Sequence, residues 1–125
     1  MRDLENQKYI VLETLRKNNT PVKTPVWFVL KKNLIYIITR EQTGKIKRLK
    51  NNQNVRLAPS TLRGKPTGNW LTGIASFVSK QEASEAITLR RKKYGFMDRV
   101  AQFASKSKGE LIVFSIKIQN DSKSE

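Results

Sequence analysis

Short apolar stretches separated by turn residues run through the first two thirds of the chain. Stretches that are rich in β-branched and aromatic residues and bounded by Gly, Pro, Asn or charged clusters are typical of β-strands. One such boundary is the run Lys31, Lys32 and Asn33, where the pattern predicts a tight hairpin. The strands are predicted over residues 9–15, 22–30, 34–39, 55–60 and 69–78.

Helical patterns are confined to a short segment after the third strand and a longer stretch before the last one. The short helix is predicted over residues 45–51. Ser79 and Glu82 have capping-box spacing, which predicts the start of a second helix. That helix should run to Tyr94, because Gly95 can end it.

A third helix and a final strand complete the pattern. Apolar residues at i, i+3, i+4 and i+7 form one stripe along this helix. The run 111–118 predicts a sixth strand with alternate apolar residues on one face. The last residues, 119–125, are polar and are predicted to be disordered. The members of the helical stripe are Met97, Val100, Ala101 and Ala104.

Six strands, with a short helix after the third and two helices before the last, predict a mostly β fold that closes as a small barrel. No repeat or internal linker divides the chain, so residues 1–118 are predicted to form a single domain. The third strand is apolar on both faces, although a barrel wall needs only one buried face. We therefore expect a second subunit or a bound planar ligand to cover the outer face.

Charge and composition narrow the chemistry. The chain has 25 Lys and Arg against 10 Asp and Glu, a net charge of +15, so nucleic acid, a membrane surface or a phosphorylated cofactor are candidate partners. It has no Cys and no His, which excludes thiol and imidazole catalysis and predicts no metal site. An enzyme of this composition should draw its reactive group from a cofactor.

No targeting or membrane-spanning segment is predicted. The first residues lack the apolar region of a signal peptide. The longest apolar run, residues 25–30, is far shorter than the ~20 residues that a spanning helix needs. We therefore expect a cytoplasmic protein without a membrane partner.

The passage from residue 34 to residue 49 has the outline of an anion-binding site. An apolar strand ends at the hydroxyl of Thr39, and a turn leads to a helix that carries Lys45 and Arg48. These groups and the free N–H groups of the first helical turn are able to bind a phosphate. A solvated basic helix explains the same residues equally well, and both interpretations stay open. The segment is not a nucleotide P-loop, because Thr39 and Ile46 replace residues which that motif requires.

Two further features have both a structural and a functional interpretation. Pro25 cannot donate a hydrogen bond within a sheet, so its strand forms an edge, contains a bulge or faces a ligand there. The basic run 90–93 is similar to a nucleic-acid contact, but cations in the last turn of a helix also complement the helix dipole. We favour the helical interpretation of this run, which argues against nucleic acid as the partner.

Several motifs, in their order and spacing, resemble the flavin and deazaflavin split β-barrel superfamily of the pyridoxamine-phosphate-oxidase type. The resemblance covers about residues 8–118 and is greatest for the small F420-dependent branch. No single motif is specific, and it is their agreement in order that carries the resemblance. The motifs lie at residues 9–16, 20–22, 24–29, 38–39, 44–49, 55–59 and 63–70.

The resemblance implies a homodimer of six-stranded split barrels with two cofactor sites in the grooves between the subunits. The strand at residues 24–29 would lay its backbone along the flavin or deazaflavin ring. Thr39 would meet the phosphate, Lys45 would pair with it, and Arg48 would be the further cation of F420-dependent members. The implied cofactor-binding residues are Thr24, Pro25, Val26, Trp27, Ile38, Thr39, Gly44, Lys45, Arg48 and Trp70.

The resemblance favours coenzyme F420 over FMN. Gly44 stands where flavin-binding oxidases tend to have a basic residue, and Ser60 stands where F420-dependent members often have a Cys, so no thiol role is implied. F420 adds a phosphodiester and a glutamate tail to its ring system and is more anionic than FMN, which suits a basic groove. Arg63 and Lys65 are candidates for the tail, and a solvated hairpin explains them equally well.

The sequence therefore predicts an F420-dependent oxidoreductase that transfers hydride between the deazaflavin and an unidentified small organic substrate. An FMN-binding reductase or flavin carrier of the same fold is the first alternative. A basic β-barrel that binds nucleic acid is the second. No side chain is singled out as an acid or base, although Tyr36 and Thr14 are candidates.

Overall fold

The computed structural model describes residues 4–120, which form seven strands and three α-helices. The strands are β1 (Ile10–Leu15), β2 (Pro21–Val26), β3 (Val29–Lys31), β4 (Leu34–Arg40), β5 (Asn54–Pro59), β6 (Leu71–Phe77) and β7 (Leu111–Asn120). The helices are α1 (Gly44–Asn51), α2 (Lys80–Tyr94) and α3 (Phe96–Ser105), and a 3₁₀ turn at Lys106–Lys108 follows α3. The fold is mostly β with some helices, as the sequence predicts.

All seven strands pair antiparallel in one sheet with the order β2-β1-β5-β6-β7-β4-β3. β2 and β3 lie at opposite ends of this order, yet only Trp27 and Phe28 separate them along the chain. Three steps between consecutive Cα atoms span at most about 11 Å, so the two edges of the sheet must approach each other there. The sheet is therefore curled into a half-barrel, which is consistent with a split barrel.

The predicted second strand, residues 22–30, is two strands in the structure. This break raises the strand count from the predicted six to seven, and it places α1 after the fourth strand instead of the third. It occurs where the ring of Trp27 stacks on Tyr94 of α2 and where Phe28 is buried in the core. Pro25 lies two residues before the break, and the aromatic side chains at the break pack against distant parts of the chain.

The predicted hairpin at residues 31–33 is confirmed. β3 and β4 pair antiparallel, with Lys31 opposite Leu34. Lys32 and Asn33 have φ angles of 51° and 65°. Positive φ at both central residues is what a two-residue type I′ turn requires, and this turn fixes the register of β3 against β4.

The main core lies inside the curled sheet and is covered on one side by α1. Ile46 and Leu49 of α1 are buried against this core, as the predicted helix face requires. Phe114 of β7 is among the largest fully buried side chains. Lys47 and Lys50, on the other side of α1, are exposed. The helix is therefore fixed to the sheet by its apolar face and leaves Lys47 and Lys50 accessible.

α2 covers the outer face of the sheet where β3, β4 and β7 lie near one another. Val29, Tyr36 and Val113 are buried there against Ala86 of α2. The expectation that a second subunit or a planar ligand covers the outer face of the third predicted strand is corrected here, because a helix of the same chain covers it. The sequence pattern did not reveal this, since the period of a helix does not say which strands it packs on.

The capping-box prediction at Ser79 is confirmed. Ser79 Oγ accepts a hydrogen bond from the backbone N–H of Glu82 at 3.2 Å. α2 ends at Tyr94, and Gly95 follows with a φ of 59°, a left-handed value that favours glycine. Both ends of α2 are thus set by local sequence.

The substitution Ser79→Ala should lower the free energy of unfolding by about 1 kcal/mol, because the N–H of Glu82 loses its acceptor. Chemical denaturation followed by circular dichroism measures the change. Ser84→Ala is the matched control, since Ser84 is exposed within the same helix and should change the free energy by less than about 0.5 kcal/mol. Equal effects of the two substitutions would contradict the capping role.

The apolar stripe predicted for α3 does not face the core. Met97 and Val100 are exposed, whereas Asp98 of the same helix is completely buried. Asp98 forms an ion pair with Arg90 of α2, in which Oδ1 and Nε are 2.6 Å apart. α3 therefore packs on the domain through polar residues, and its apolar stripe is left on the outside.

β7 continues beyond the predicted strand end. The sequence pattern assigns Gln119 and Asn120 to a disordered tail, but both belong to β7, where Asn120 pairs with Thr72 of β6. The remainder of the predicted tail, residues 121–125, lies outside the described residues. Within residues 4–120, every helix is too short or too polar to cross a bilayer.

Candidate functional site

The loop between β4 and α1 is fixed by the chain segment that precedes β7. The backbone N–H of Glu41 donates to the carbonyl of Glu110 at 2.8 Å. The backbone N–H of Gln42 donates to the carbonyl of Lys108 at 2.9 Å. These two bonds fix where α1 begins relative to the end of β4, and they bring Lys108 to the same place.

Two hydroxyl groups meet where this loop enters α1. Thr39 Oγ1 lies 3.4 Å from Thr43 Oγ1, and Thr43 Oγ1 donates to the carbonyl of Arg40 at 3.0 Å. Thr43 is the N-cap residue of α1, but its side chain makes no capping hydrogen bond, and the first turn has no acidic residue. The first-turn N–H groups therefore lack a side-chain acceptor, which favours an anion at this end of the helix.

Lys45 lies in the first turn of α1 and is partly buried. Burial, followed by repulsion from Arg48 and Lys108, lowers the pKa of Lys45 from its ordinary value of 10.5. None of the ion pairs formed among residues 4–120 involves Lys45 or Arg48. Lys45 is thus a cation under mutual repulsion whose charge a bound anion would offset.

Arg48 is held in place from the neighbouring strand. Its Nε donates to Thr14 Oγ1 of β1 at 2.6 Å. Burial, followed by repulsion from Arg16, lowers the pKa of Arg48. A Cβ added to Gly44 would lie 2.6 Å from Arg48 Nη1, so the glycine leaves the guanidinium room beside the first turn of α1. Thr39, Thr43, Gly44, Lys45 and Arg48 are named the anion cluster below.

The strand expected to carry the cofactor ring, β2, is an edge strand. Within the described part of the chain it pairs only with β1, so Pro25 occupies an edge position, one of the three settings that its missing N–H allows. Thr24 Oγ1 is buried and has no hydrogen-bond partner among the described residues. Val26 is partly buried against the main core. A free backbone edge and an orphaned hydroxyl fit a polar ligand at this strand.

Trp27 and Ile38 are engaged by α2. The rings of Trp27 and Tyr94 are stacked with centroids 4.2 Å apart and planes 7° apart, and Arg90 Cζ lies 5.2 Å from the Trp27 ring centroid. Arg90 Nη1 also donates to the carbonyl of Ile38 at 3.4 Å, and the Ile38 side chain packs beneath α2. These contacts fix both residues to α2, and Ile38 directly precedes Thr39 of the anion cluster along β4.

Trp70 lies against cations of β2 and β5. Arg56 Cζ lies 4.6 Å and Lys23 Nζ 5.3 Å from the centroid of its ring. Glu13 is buried on β1, the strand between β2 and β5, and pairs with Arg56 at 3.5 Å between Oε2 and Nη1. Lys23 belongs to β2, so Trp70 lies beside the strand predicted to carry the cofactor ring.

The basic run 90–93 is not a continuous cationic patch. Arg90 is buried and paired with Asp98. Lys93 Nζ donates to the carbonyl of Phe28 at 2.9 Å and lies 3.6 Å from the centroid of its ring, and burial lowers the pKa of Lys93 to about 8. Arg90 is thus withdrawn from solvent and the Lys93 ammonium is held against Phe28, whereas Arg91 and Lys92 are exposed, which supports the helical interpretation of this run.

Sequence reasoning missed several residues around the anion cluster. Thr43 had a local signal, because a Thr directly before a helix is a typical N-cap. Thr14 was proposed as an acid or base candidate, but its hydroxyl accepts from Arg48. Nothing in the sequence pattern indicated that Arg16 and Lys108 lie near the site, since only the fold brings them close to α1.

Tyr36, the other acid or base candidate, is committed to the packing of α2. Its hydroxyl donates to Glu82, and desolvation together with this bond raises the pKa of Tyr36 to about 12. The side chain belongs to the buried cluster under α2. Tyr36 is therefore poorly placed to exchange a proton with a substrate.

A curled sheet of seven antiparallel strands, with α1 against the core inside it, α2 on its outer face and an anion cluster after β4, defines a split-barrel protein. The family model for pyridoxamine 5'-phosphate oxidase matches residues 1–120. The chain belongs to this family. No curated protein matches the chain in a sequence comparison.

Solved structures share the fold at low sequence identity. The heme storage protein HutZ from Vibrio cholerae is 12% identical at a TM-score of 0.74, with 96% of this chain and 88% of that chain covered. A FAD-binding protein from Mesorhizobium loti is 14% identical at a TM-score of 0.65, with 95% and 84% covered. An F420 reductase is 16% identical at a TM-score of 0.65, with 94% and 90% covered. Similar folds therefore occur in proteins named for three different ligands, and the ligand of this chain must be argued from its own residues.

Proposed function

We propose that this protein is an F420-dependent oxidoreductase whose anion cluster binds the phosphate of the cofactor. The observation that carries the proposal is Lys45, a partly buried cation beside Arg48 and Lys108 with no carboxylate paired to it among the described residues. When bound, a reduced deazaflavin supplies a hydride to an organic acceptor. The protein supplies binding and orientation.

The anion cluster offers three kinds of phosphate ligand. Lys45 and Arg48 provide charge, Thr39 provides a hydroxyl, and the uncapped first turn of α1 provides backbone N–H groups. Arg48 is pre-positioned by its bond to Thr14, so little conformational entropy is lost when it binds. Charge-assisted hydrogen bonds to an anion are worth ~1.5–3 kcal/mol each.

β2 is proposed to contact the cofactor ring and, with a second subunit, to enclose it. Its outer edge has unpaired backbone groups within the described residues, which suits the polar edge of a flavin or deazaflavin. Thr24 Oγ1 is a further group without a partner. In a single protomer this edge is open, and we propose that a homodimer completes the site there. Trp70 would then contribute from another part of the same groove.

The residues near the cluster favour F420 over FMN. Gly44 leaves room for the Arg48 guanidinium, where a larger residue would displace it. Arg63 and Lys65 are exposed on either side of Gly64, which packs against Pro25 of β2. This loop therefore brings two exposed cations close to β2, the strand proposed for the ring, where the anionic tail of F420 would use them. FMN has no such tail and is the alternative ligand of the same cluster.

Fluorescence titration with F420, FMN and a single-stranded oligonucleotide separates the three candidate functions. We expect F420 to bind most tightly, FMN more weakly and the oligonucleotide weakest. Tighter binding of FMN would select the flavin alternative. If neither cofactor binds below about millimolar while the oligonucleotide does, the protein is a nucleic-acid binder and the proposal is wrong.

The affinity for F420 should fall as the pH rises through the alkaline range below 10.5, the ordinary pKa of Lys45. The pKa of Lys45 is lowered in the free protein, and a bound phosphate raises it. At a pH between the pKa of the free protein and that of the complex, binding therefore takes up a proton. The affinity then falls by at most about tenfold per pH unit. Calorimetry in buffers of different ionisation enthalpy measures the uptake. Lys45→Gln should abolish it, whereas proton uptake that persists in this variant would assign it to another group.

A further inference from the structure

The outward face of α3 is apolar, which is the reverse of a helix that packs on a core. The face consists of Phe96, Met97, Val100 and Phe103, which are 77%, 57%, 53% and 83% exposed. Two of the four are phenylalanines that lie almost wholly outside the protein. Contiguous exposed apolar residues of this kind mark an interaction site more often than an accident of folding.

A polar network locks α3 in this orientation. Asp98 is completely buried and pairs with Arg90, and it also accepts a hydrogen bond from Gln102 Nε2 at 2.6 Å. Arg40 at the end of β4 donates from Nη2 to the carbonyl of Gln102 and from Nε to Ser105 Oγ, each at 3.0 Å. Rotation of α3 to bury its apolar face would break all of these bonds. The apolar face therefore stays outward.

Cations outnumber acids at the border of this face, although Glu41 and Glu110 line the cavity beside Phe103. Residues 90–108 contain seven Lys and Arg and a single acid, Asp98, which is buried. Arg99 is three residues after Phe96 and four before Phe103, so it lies beside them on the helix surface. Further exposed cations follow at the end of α2 and after α3: Arg91, Lys92, Lys106 and Lys108.

We propose that the outward face of α3 docks on the surface of a bilayer that contains anionic phospholipids. The apolar side chains would enter the boundary between headgroups and acyl chains, and the cations would bind lipid phosphates. A second copy of the chain is a poor occupant of this particular face, because it would bring Arg99 and the neighbouring cations of one copy against the same cations of the other. The expectation of no membrane partner rests on spanning segments and does not address a helix that lies flat on the surface.

Vesicle sedimentation tests this docking with the full chain. We expect binding to vesicles of phosphatidylcholine mixed with phosphatidylglycerol, weaker binding at high salt, and little binding to phosphatidylcholine alone. The double substitution Phe96→Ser and Phe103→Ser should lower the partition constant about tenfold or more. Leu62→Ser is the matched control, because Leu62 is 65% exposed outside α3, and it should leave partitioning unchanged.

Three results would overturn the proposal. The first is failure of the wild-type chain to bind anionic vesicles. The second is unchanged partitioning of the double variant, which would show that net charge alone causes the binding. The third concerns a dimer. If sedimentation velocity shows that the wild-type chain is a dimer, that the double substitution dissociates it, and that the wild-type chain does not bind vesicles, a second copy covers this face. Circular dichroism of each variant verifies that it is folded.

Discussion

The substitution Asp98→Ala is expected to lower the free energy of unfolding by about 3–5 kcal/mol, because it removes one partner of a buried ion pair. Arg90 would remain charged although only 8% of the residue is exposed, and Gln102 Nε2 would lose its acceptor. The loss should appear as a lower midpoint in urea denaturation followed by circular dichroism. The same substitution would free α3 from α2.

The double substitution Arg90→Leu and Asp98→Ala is the control for this prediction. Removal of both charges takes away the cost of burying an unpaired cation, so most of the lost stability should return. Full recovery is not expected, since Arg90 also contacts the Trp27 ring and the carbonyl of Ile38. If Asp98→Ala alone costs less than about 1 kcal/mol, the ion pair does not hold α3, and the argument for its fixed orientation is lost.

The substitution Lys45→Ala is expected to weaken F420 binding by about 1.5–3 kcal/mol, roughly 10-fold to 150-fold in the dissociation constant. It removes a cation that is partly buried beside Arg48 and has no carboxylate partner among the described residues. The unfolding free energy should not fall, because relief of repulsion from Arg48 and Lys108 offsets the lost packing. Fluorescence titration and denaturation measure the two quantities separately.

Lys47→Ala controls for the loss of one positive charge from α1. Lys47 is exposed on the side of the helix that faces away from the anion cluster, and its removal changes the net charge by the same amount. We expect F420 binding to change by less than about 0.5 kcal/mol in this variant. Unchanged affinity in Lys45→Ala, or equal losses in the two variants, would return α1 to the interpretation as a solvated basic helix.

Local sequence determined the parts of the fold that the pattern predicted correctly. Three such features depend only on residues that are close together in sequence: the hairpin at residues 31–33, the cap at Ser79 and the buried face of α1. Their physical causes are positive φ in a short turn, a hydroxyl acceptor at a helix start and helical period. Such causes are visible without knowledge of what lies across the sheet.

Distant contacts determined the parts that the pattern missed. The break at Trp27 depends on Tyr94, which follows it by more than sixty residues and stacks on its ring. The outward orientation of α3 depends on the pairing of Asp98 with a buried arginine of the preceding helix, and an apolar stripe alone is typical of a core-facing helix. Burial of one charged pair therefore outweighed the periodicity of the stripe.

The same division between local and distant contacts applies to the candidate site. Thr39, Lys45 and Arg48 lie within one strand-turn-helix unit, so their spacing in sequence indicated their proximity. Arg16 and Lys108, which add to the positive potential, come from other elements and gave no signal. Trp70 lies against Lys23 of β2 and Arg56 of β5, two contacts that its sequence position did not indicate.

A crystal structure of the protein with F420 bound tests the central claim most directly. The account predicts that phosphate oxygens of the cofactor lie within hydrogen-bonding distance of Lys45 Nζ and Thr39 Oγ1, at the start of α1, with the ring along β2. A cofactor whose phosphate lies elsewhere on the protein, or an anion cluster that stays free of phosphate at saturating F420, would contradict it.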